Sequence, residues 1–384
     1  MVFVRFRQLK HIAPLQSHSC PIQIRSRLDT PSRWNTTAQI TSNDDLTAIV
    51  QEFPHQLDYA FGYGSAVLHQ RNSNPTSSMV DIIMSVPDPH QWHAENLKRH
   101  PSHYSMMSRF GGPSFVTALQ SNFGAKLYFH PYVNLNIRGS SDVRQIKYGV
   151  VSTSDLIHDL KHWEYLYLAG RMQKPIVTIQ TDEGDLTLAT EVRESIDSAQ
   201  ASNLLAAVSS SLLLIGGETS QTSIAMSELY TTIASLSYTG DFRMQTGAED
   251  PNKVRKLVDT PGMLDLWETK YADTLKLLQE RGLLSLATSR EHEKDPRIEF
   301  NPYDIEARKE LMKYLPQRLY EHKDRILGLD GQSCIQQGSR VLRKELANIV
   351  APAARSQGIK GICTAGPVKS WKYAMAKFAK GRLK

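Results

Sequence analysis

Tyr59-Ala-Phe-Gly-Tyr-Gly-Ser-Ala-Val67 and, after a polar loop, Ser78-Met-Val-Asp-Ile-Ile-Met-Ser-Val86 are the two runs that decide how this chain is read. In the first, apolar residues lead into a Gly-x-Gly-Ser turn. The missing Cβ atoms let backbone N–H groups and the Ser65 hydroxyl close around a phosphate. In the second, period-2 geometry sets Val80, Ile82, Met84 and Val86 on one face of a strand and Asp81 and Ser85 on the other. A carboxylate there can hold Mg²⁺ opposite the triphosphate held by the glycine turn, which is the arrangement that nucleotidyl transfer requires. A dinucleotide-binding fingerprint would need a third glycine where Val67 stands, and a P-loop would need Gly-Lys-Ser/Thr.

With 384 residues, 40% hydrophobic and 22% charged, the chain is long enough for two or three domains with real cores. The net charge of +6 is concentrated at the two ends, a distribution that points to targeting or membrane contact rather than a nucleic-acid groove. Cys20, Cys334 and Cys363 lie far apart without a C-x-x-C, which suits a reducing compartment and argues against a thiolate zinc site. Residues 1–28 carry Arg5, Arg7, Lys10, Arg25 and Arg27 and no Asp or Glu, the pattern of a mitochondrial presequence. A basic tail without structure is the plainer alternative, and in either case 1–38 is set apart from the fold.

Further along, an N-cap cluster at Ser42-Asn-Asp-Asp45 opens a short amphipathic segment. His90–His103 reads as a helix stopped at Pro101, and Ala125–Ile137 and Arg144–Ser152 read as extended. The stripe Leu156, Leu160, Trp163, Tyr167 predicts one helix from Ser154 or Asp155 to Gly170. Strands and helices mix without strict alternation, so the class is α+β. A composition shift near Pro175 suggests a domain boundary. Asn203–Ile215, the most apolar run, is too short for a span of roughly 20 residues and reads as a buried core helix. Leu264, Trp267, Tyr271 and Leu278 mark another helix, ending at Gly282. In the tail, Val368, Trp371, Met375 and Phe378 fall at helical spacing among Lys369, Lys372, Lys377, Lys380 and Arg382. Such a basic helix with an aromatic stripe suits an anionic membrane interface, or else packs on its own domain.

The Gly-Ser turn and the Asp81 strand together resemble the polymerase-β-like nucleotidyltransferase superfamily. Two departures stand out: the spacing from Ser65 to Asp81 is long, and Ile83 occupies the position of a second carboxylate. Asp88, Asp155 and Asp241 are candidates for a further metal ligand, and one metal held by Asp81 and the nucleotide phosphates also suffices. His90, His93, His100 and His103 form two H-x-x-H pairs, but H-E-x-x-H and a nearby cysteine are missing, so substrate hydrogen bonding by His93 or His103 fits better than zinc. Lys147, inside an apolar strand, is either a snorkelling surface lysine or a phosphate neutraliser.

A closer resemblance rests on several blocks in order: Phe61-Gly-Tyr-Gly-Ser-Ala-Val67, Val80-Asp81, Asp88-Pro89, Trp92-His-x-x-Asn-Leu97, His103-Tyr-Ser105, Ile146-Lys-Tyr-Gly-Val150, Leu166-Tyr-x-Ala-Gly-Arg171, Leu236-Ser-Tyr-x-Gly-Asp-Phe-Arg-Met244 and Lys360-Gly-Ile-Cys-Thr-Ala-Gly366. They resemble the mitochondrial translocator assembly and maintenance protein family of phosphatidate cytidylyltransferases. The resemblance implies a nucleotidyltransferase domain at 39–175, a winged-helix-like domain at 176–262 and a helical region at 263–384 ending in a membrane-surface helix, 368–384. It implies Mg²⁺-dependent transfer of cytidylyl from CTP to phosphatidate on the matrix face of the mitochondrial inner membrane, as a peripheral protein feeding cardiolipin synthesis. The expected catalytic residues are Asp81, Ser65 and Lys147. Gly62, Tyr63, Gly64, Ser65 and His93 are expected at the nucleotide, Asp81 and Asp88 at the metal, and Lys147, Asp241 and Arg243 at the substrate phosphate. Trp371, Lys372, Met375, Lys377, Phe378 and Lys380 are expected to meet anionic inner-membrane lipids. Neither a nucleic acid nor a stable protein partner is read. A non-enzymatic assembly factor built on the same scaffold is the competing class, with the missing second aspartate as its main support.

Overall fold

Apolar runs rich in Val, Ile and Tyr form the strands, and the segments between them begin with the Ser, Asp and Asn residues that satisfy free N–H groups at helix starts. The computed structural model describes residues 39–40, 43–69, 79–137, 143–179, 186–219, 221–247, 250, 252–287, 295–328 and 331–365. In chain order, β1 (Gln39–Ile40), α1 (Asn43–Gln51), β2 (Tyr59–Tyr63), β3 (Leu68–His69) and β4 (Val80–Val86) are followed by α2 (Pro89–Arg99) and α3 (Met106–Asn122). Next come β5 (Leu127–Asn136), β6 (Val143–Ser152), α4 (Thr153–His162), α5 (Leu168–Met172), β7 (Val177–Ile179), α6 (Leu186–Thr219), β8 (Ser223–Ala225) and α7 (Met226–Leu236). The remainder is α8 (Phe242–Gln245), α9 (Lys253–Asp259), α10 (Met263–Glu280), β9 (Ser285–Leu286), β10 (Arg297–Glu299), α11 (Ile305–Met312), α12 (Gln317–Tyr320), α13 (Lys323–Leu327) and α14 (Gly331–Ala365).

Five strands form a sheet in the order β5-β6-β4-β2-β7, with β4 and β6 parallel and the other pairs antiparallel. This mixed sheet followed by a helical C-terminal region gives the α+β class that the sequence suggests. Alternation divides the side chains between its faces. Ile82, Met84, Tyr148 and Val150 pack with Leu46, Phe53 and Trp92 on one side. Phe61, Ile83 and Phe129 join Leu156, Leu160 and Trp163 on the other. A smaller antiparallel sheet has the order β8-β10-β9.

The single helix expected from residue 155 to 170 is instead two, and the reason is Asp159. Its buried carboxylate accepts the N–H groups of Tyr165, Leu166, Leu168 and Ala169 at 2.8–3.0 Å. These bonds draw the chain into a loop in which Trp163 and Leu166 take positive φ. Trp163 still reaches the core, and its Nε1 donates to Asn203 Oδ1 at 2.9 Å. The apolar run of α6 is long enough to cross a membrane, but its residues 203–217 are buried among α4, α7, α10, α11 and α14. It is a core helix, as expected.

The long α14 returns to the sheet. Gln357 donates to Leu127 O and accepts from Ala125 N, while Lys360 Nζ donates to Gln120 O and Phe123 O at 3.0 and 2.8 Å. This helix is thereby bonded to the end of α3 and packed on β5, an edge strand of the sheet.

Candidate active site

Strand register brings the first group of site residues together. Parallel pairing puts Lys147 of β6 beside Asp81 of β4, and antiparallel pairing puts Tyr63 of β2 opposite Asp81. The Lys147 Nζ lies 3.3 Å from Asp81 Oδ1 and 4.5 Å from the centre of the Phe129 ring. Tyr63 OH donates to the same carboxylate oxygen at 3.4 Å. Beyond Tyr63 the chain turns through Gly64 at φ 85°, with Val67 N and Leu68 N donating to Gly64 O. A Cβ on Gly64 would stand 3.5 Å from Asp81 Oδ2, so the turn abuts the carboxylate and leaves Ser65 exposed beside it. Gly62 has a packing role instead, since a Cβ there would crowd Val67 at 3.1 Å.

Burial opposes the charge on Lys147, but Tyr63 and Asp81 outweigh it and hold the ammonium above the usual lysine range. Burial pushes the Tyr63 hydroxyl up to about 12, so it stays protonated and donates.

A second group continues from Tyr63. The Arg171 guanidinium lies 4.1 Å from the Tyr63 ring centre and 5.5 Å from that of Tyr167. Its buried Nε has no hydrogen-bond partner, and among the described residues it pairs with no carboxylate. One turn on, Lys174 Nζ donates to Gly170 O and Ser237 Oγ at 2.6 and 2.8 Å and lies 5.1 Å from the Tyr238 ring, which Lys253 approaches to 5.5 Å. Gly170 permits this approach, because a Cβ there would fall 2.2 Å from Ser237 Cβ. Burial, reinforced by Arg171 and Lys253, drives the Lys174 amine well below the usual lysine range. A cavity opens here between Tyr167, Arg171, Lys174, Tyr238 and Arg243, floored by Val350 of α14.

Asp241 is 2% exposed and caps α8, accepting Arg243 N at 2.9 Å and Arg243 Nη2 at 2.6 Å. Burial alone would raise its pKa, but the bonds from Arg243 hold it below the usual carboxylate range. Asp241 therefore orients Arg243, and the cation is the member of the pair suited to an anion. Arg171, Lys174, Arg243 and Asp241 line the cavity; Lys147 and Asp81 adjoin it through Tyr63, over whose ring Arg171 lies, and Lys253 through Tyr238. This is an environment for a polyanion.

Other expected site residues stand elsewhere. Asp88 caps α2, with Oδ1 accepting His90 N and Gln91 N at 2.8 and 3.2 Å. Asp88 is seven positions beyond Asp81, five of them in β4, and at about 3.3 Å per residue the gap is roughly 20 Å, too far to share a metal. Asp155 lies past the same far end of the sheet, paired with Lys126 at 2.9 Å. His93, expected at the nucleotide, is buried on the opposite face of the sheet. Its Nδ1 is 2.8 Å from Tyr104 OH and its Nε2 is 2.8 Å from Gln120 Oε1. An amide oxygen only accepts, so Nε2 carries the proton and Nδ1 accepts from Tyr104. Burial lowers this imidazole to about 4. His93 is a neutral structural group, and the nucleotide role expected of it is corrected. Trp371, Lys372, Met375, Lys377, Phe378 and Lys380 lie outside the described residues.

Arg171, Lys174, Tyr238 and Lys253 were not singled out from the sequence. Arg171 and Lys174 do carry a signal, two cations three residues apart just after Gly170, but only the fold brings Arg171 to Tyr63 and Lys174 to Tyr238.

Comparison with known proteins agrees with this chemistry. A family profile described as mitochondrial phosphatidate cytidylyltransferase matches residues 46–380. The chain is 36% identical over 345 residues to the mitochondrial phosphatidate cytidylyltransferase of Bos taurus, covering 86% of this chain and 92% of the bovine one. It is 32% identical over 357 residues to the Schizosaccharomyces pombe protein of the same description, covering 88% and 84%. With the Homo sapiens protein the identity is 35% over 331 residues, covering 83% and 66%. This chain belongs to the mitochondrial phosphatidate cytidylyltransferase family.

Proposed function

We propose that the chain transfers the cytidylyl group of CTP to phosphatidate, forming CDP-diacylglycerol and releasing pyrophosphate, with the charged cleft as its active site. The observation that carries this reading is Arg171, a half-buried guanidinium without a carboxylate partner, 4.1 Å from the ring of Tyr63, which hydrogen-bonds Asp81. A cation so placed is satisfied by a bound anion.

Phosphatidate brings an anionic oxygen to the reaction, so the enzyme has little proton transfer to perform. It must hold two anions in line and stabilise charge on the leaving pyrophosphate. In the proposed arrangement the backbone of the Gly64–Ser65 turn holds the outer phosphates. Lys147 offsets charge as the lipid oxygen bonds to the α-phosphorus and the bond from α-phosphorus to the bridging oxygen breaks. Arg171, Lys174 and Arg243 steady the phosphates deeper in the cleft. Asp81 orients Lys147 and Tyr63, and its Oδ2, beside Gly64, is the oxygen for a divalent cation. The described residues contain no cluster of three or more metal-ligating side chains. A single carboxylate completed by substrate phosphates still fits Mg²⁺, which seldom takes an all-protein cage. When bound, Mg²⁺ would neutralise the triphosphate.

The mixed sheet with its glycine turn and carboxylate strand supports a polymerase-β-like nucleotidyltransferase domain. The β8-β10-β9 sheet beside α7, α9 and α10 supports a winged-helix-like unit that runs to about residue 299, beyond the 262 expected. The mitochondrial family and a lipid substrate support a peripheral position on the matrix face of the inner membrane.

The test is CDP-diacylglycerol formation from labelled CTP and phosphatidate vesicles with Mg²⁺, in the chain and its Asp81→Asn variant. Activity only in the unsubstituted chain supports the reading. Equal activity in both moves the metal and the phosphates away from Asp81, and none in either, with both folded, favours a scaffold role.

A further inference from the structure

The first turns of α3 present an apolar surface that the chemistry of the cleft does not use. Met106, Met107 and Phe110 are 74%, 63% and 86% exposed and lie at i, i+1 and i+4, on one side of a helix. Two features fix that side outward. Ser105 caps the helix, and the buried Ser108 bonds Tyr128 OH at 2.8 Å, turning the opposite side inward. Gly112 then leaves the helical region at φ 70°, ψ −172°, and Pro113 follows, so residues 106–111 form a separate short arm. Phe123, at the other end of α3, is 58% exposed, and Ile359 of α14 is 66% exposed next to Lys360, which bonds Phe123 O. After α14 the sequence continues into the basic stretch 368–384.

The surrounding sequence is rich in cations. From residue 96 to residue 141 it carries Lys98, Arg99, Arg109, Lys126 and Arg138 and no Asp or Glu, with Arg99 paired to Glu95 and Lys126 to Asp155. Lys98 and Arg109 are exposed. Large apolar side chains among cations, on a short amphipathic arm, suit a bilayer rich in anionic phospholipid.

We infer that Met106, Met107 and Phe110 insert into the surface of an anionic membrane, as a lipid contact separate from the basic C-terminal stretch. This choice of occupant rests on the lipid-substrate reading above. The acyl chains of phosphatidate stay in the bilayer, and a contact on the nucleotidyltransferase-like part would hold the cleft at head-group level while the lipid reacts.

The test uses the full chain with phosphatidylcholine vesicles, with and without phosphatidate. In a Phe110→Trp variant the added indole, read as the difference from the parent, should be quenched by brominated acyl chains only when phosphatidate is present. Replacing Met106, Met107 and Phe110 with Ser should lower vesicle partitioning about tenfold with an unchanged melting temperature. Turnover should fall on vesicles and be retained on a short-chain, water-soluble phosphatidate. Transfer absent on both substrates, with the indole still quenched, would sink the activity and leave the lipid contact standing. An unquenched indole, or undiminished partitioning of the triple variant, overturns the inference. So does a dimer that the triple variant dissociates while partitioning is intact, because the patch would then join two copies of the chain.

Discussion

The five-stranded sheet carries a polar, aromatic-rich cluster on each face, and the two differ in how their polar groups are satisfied. On the α2 face, Asn96 donates to Tyr104 OH and Tyr148 OH, His103 bonds Tyr148 OH, and His93 is held between Tyr104 and Gln120. The rings of His130 and Tyr148 stack at 4.3 Å. These groups bond chiefly to one another, with Trp92 Nε1, Asn96 Oδ1 and Gln120 Nε2 left without a partner among the described residues. On the α4 face, Lys147 and Arg171 set two positive charges against the one negative charge of Asp81, and Arg171 lines a cavity. Histidines and tyrosines drew attention to the first cluster, but unbalanced charge makes the second the candidate site. Residue type alone does not separate a network from an active site.

Substitutions sharpen that contrast. Asp81→Asn should reduce CDP-diacylglycerol formation by about 10³-fold while thermal unfolding changes little, as for loss of a group that acts on charge in the transition state. Arg171→Met should lower kcat/KM for CTP by about 10²-fold and leave the fold intact, because the guanidinium has no carboxylate to abandon. A normal kcat/KM in this variant would remove the distinction between the faces. On the opposite face, His93→Ala should keep turnover per folded molecule and cost about 2–3 kcal/mol in urea unfolding, since it leaves Tyr104 and Gln120 unpaired.

The same histidine makes the α2 face acid-sensitive. His93 titrates near 4 in the folded chain against 6.5 when exposed. The unfolded chain binds that proton first as pH falls, so the stability from neutral His93 is complete above about 6.5 and is lost progressively down to about 4. Urea midpoints from pH 7 to about 4.5 should fall more steeply in the parent than in His93→Gln. Equal slopes would mean that the acid sensitivity comes from other groups. The smallest effect expected is at Ser65, whose exposed hydroxyl adds one neutral hydrogen bond to a turn made mainly of backbone donors. Ser65→Ala should change KM for CTP about fivefold at most.

The sequence was most informative where one local rule governs. Alternation around Asp81 put it on the correct face, and β6 and α10 fall where their apolar spacing puts them. The stripe from Leu156 to Tyr167 misled because periodicity cannot register a side chain that competes for backbone N–H groups, as Asp159 does. His93 misled differently. Trp92, His93 and Asn96 sit at i, i+1 and i+4, the spacing of a buried stripe, and the polar types concealed it. Arg171 lies at the end of a block quoted for the family resemblance and Lys174 lies in none, because each meets its aromatic neighbour, Tyr63 or Tyr238, only from a distant part of the chain. Asp88 shows the limit of short spacing: seven residues in a helix would leave it near Asp81, and seven in a strand carry it to the other end of the sheet.

The bonds from Gln357 and Lys360 have a consequence for the order in which the chain becomes a protein. They satisfy backbone groups at Gln120, Phe123, Ala125 and Leu127, between 230 and 240 residues earlier. A polypeptide emerging from its N-terminus first completes all five strands of the large sheet long before the helix that covers the β5 border exists. Contacts so remote in sequence slow folding, and an uncovered strand border invites pairing with other chains. Until α14 is made, that border lacks the bonds from Gln357 and Lys360. A product cut short before residue 357 is left with the sheet assembled and its rim bare.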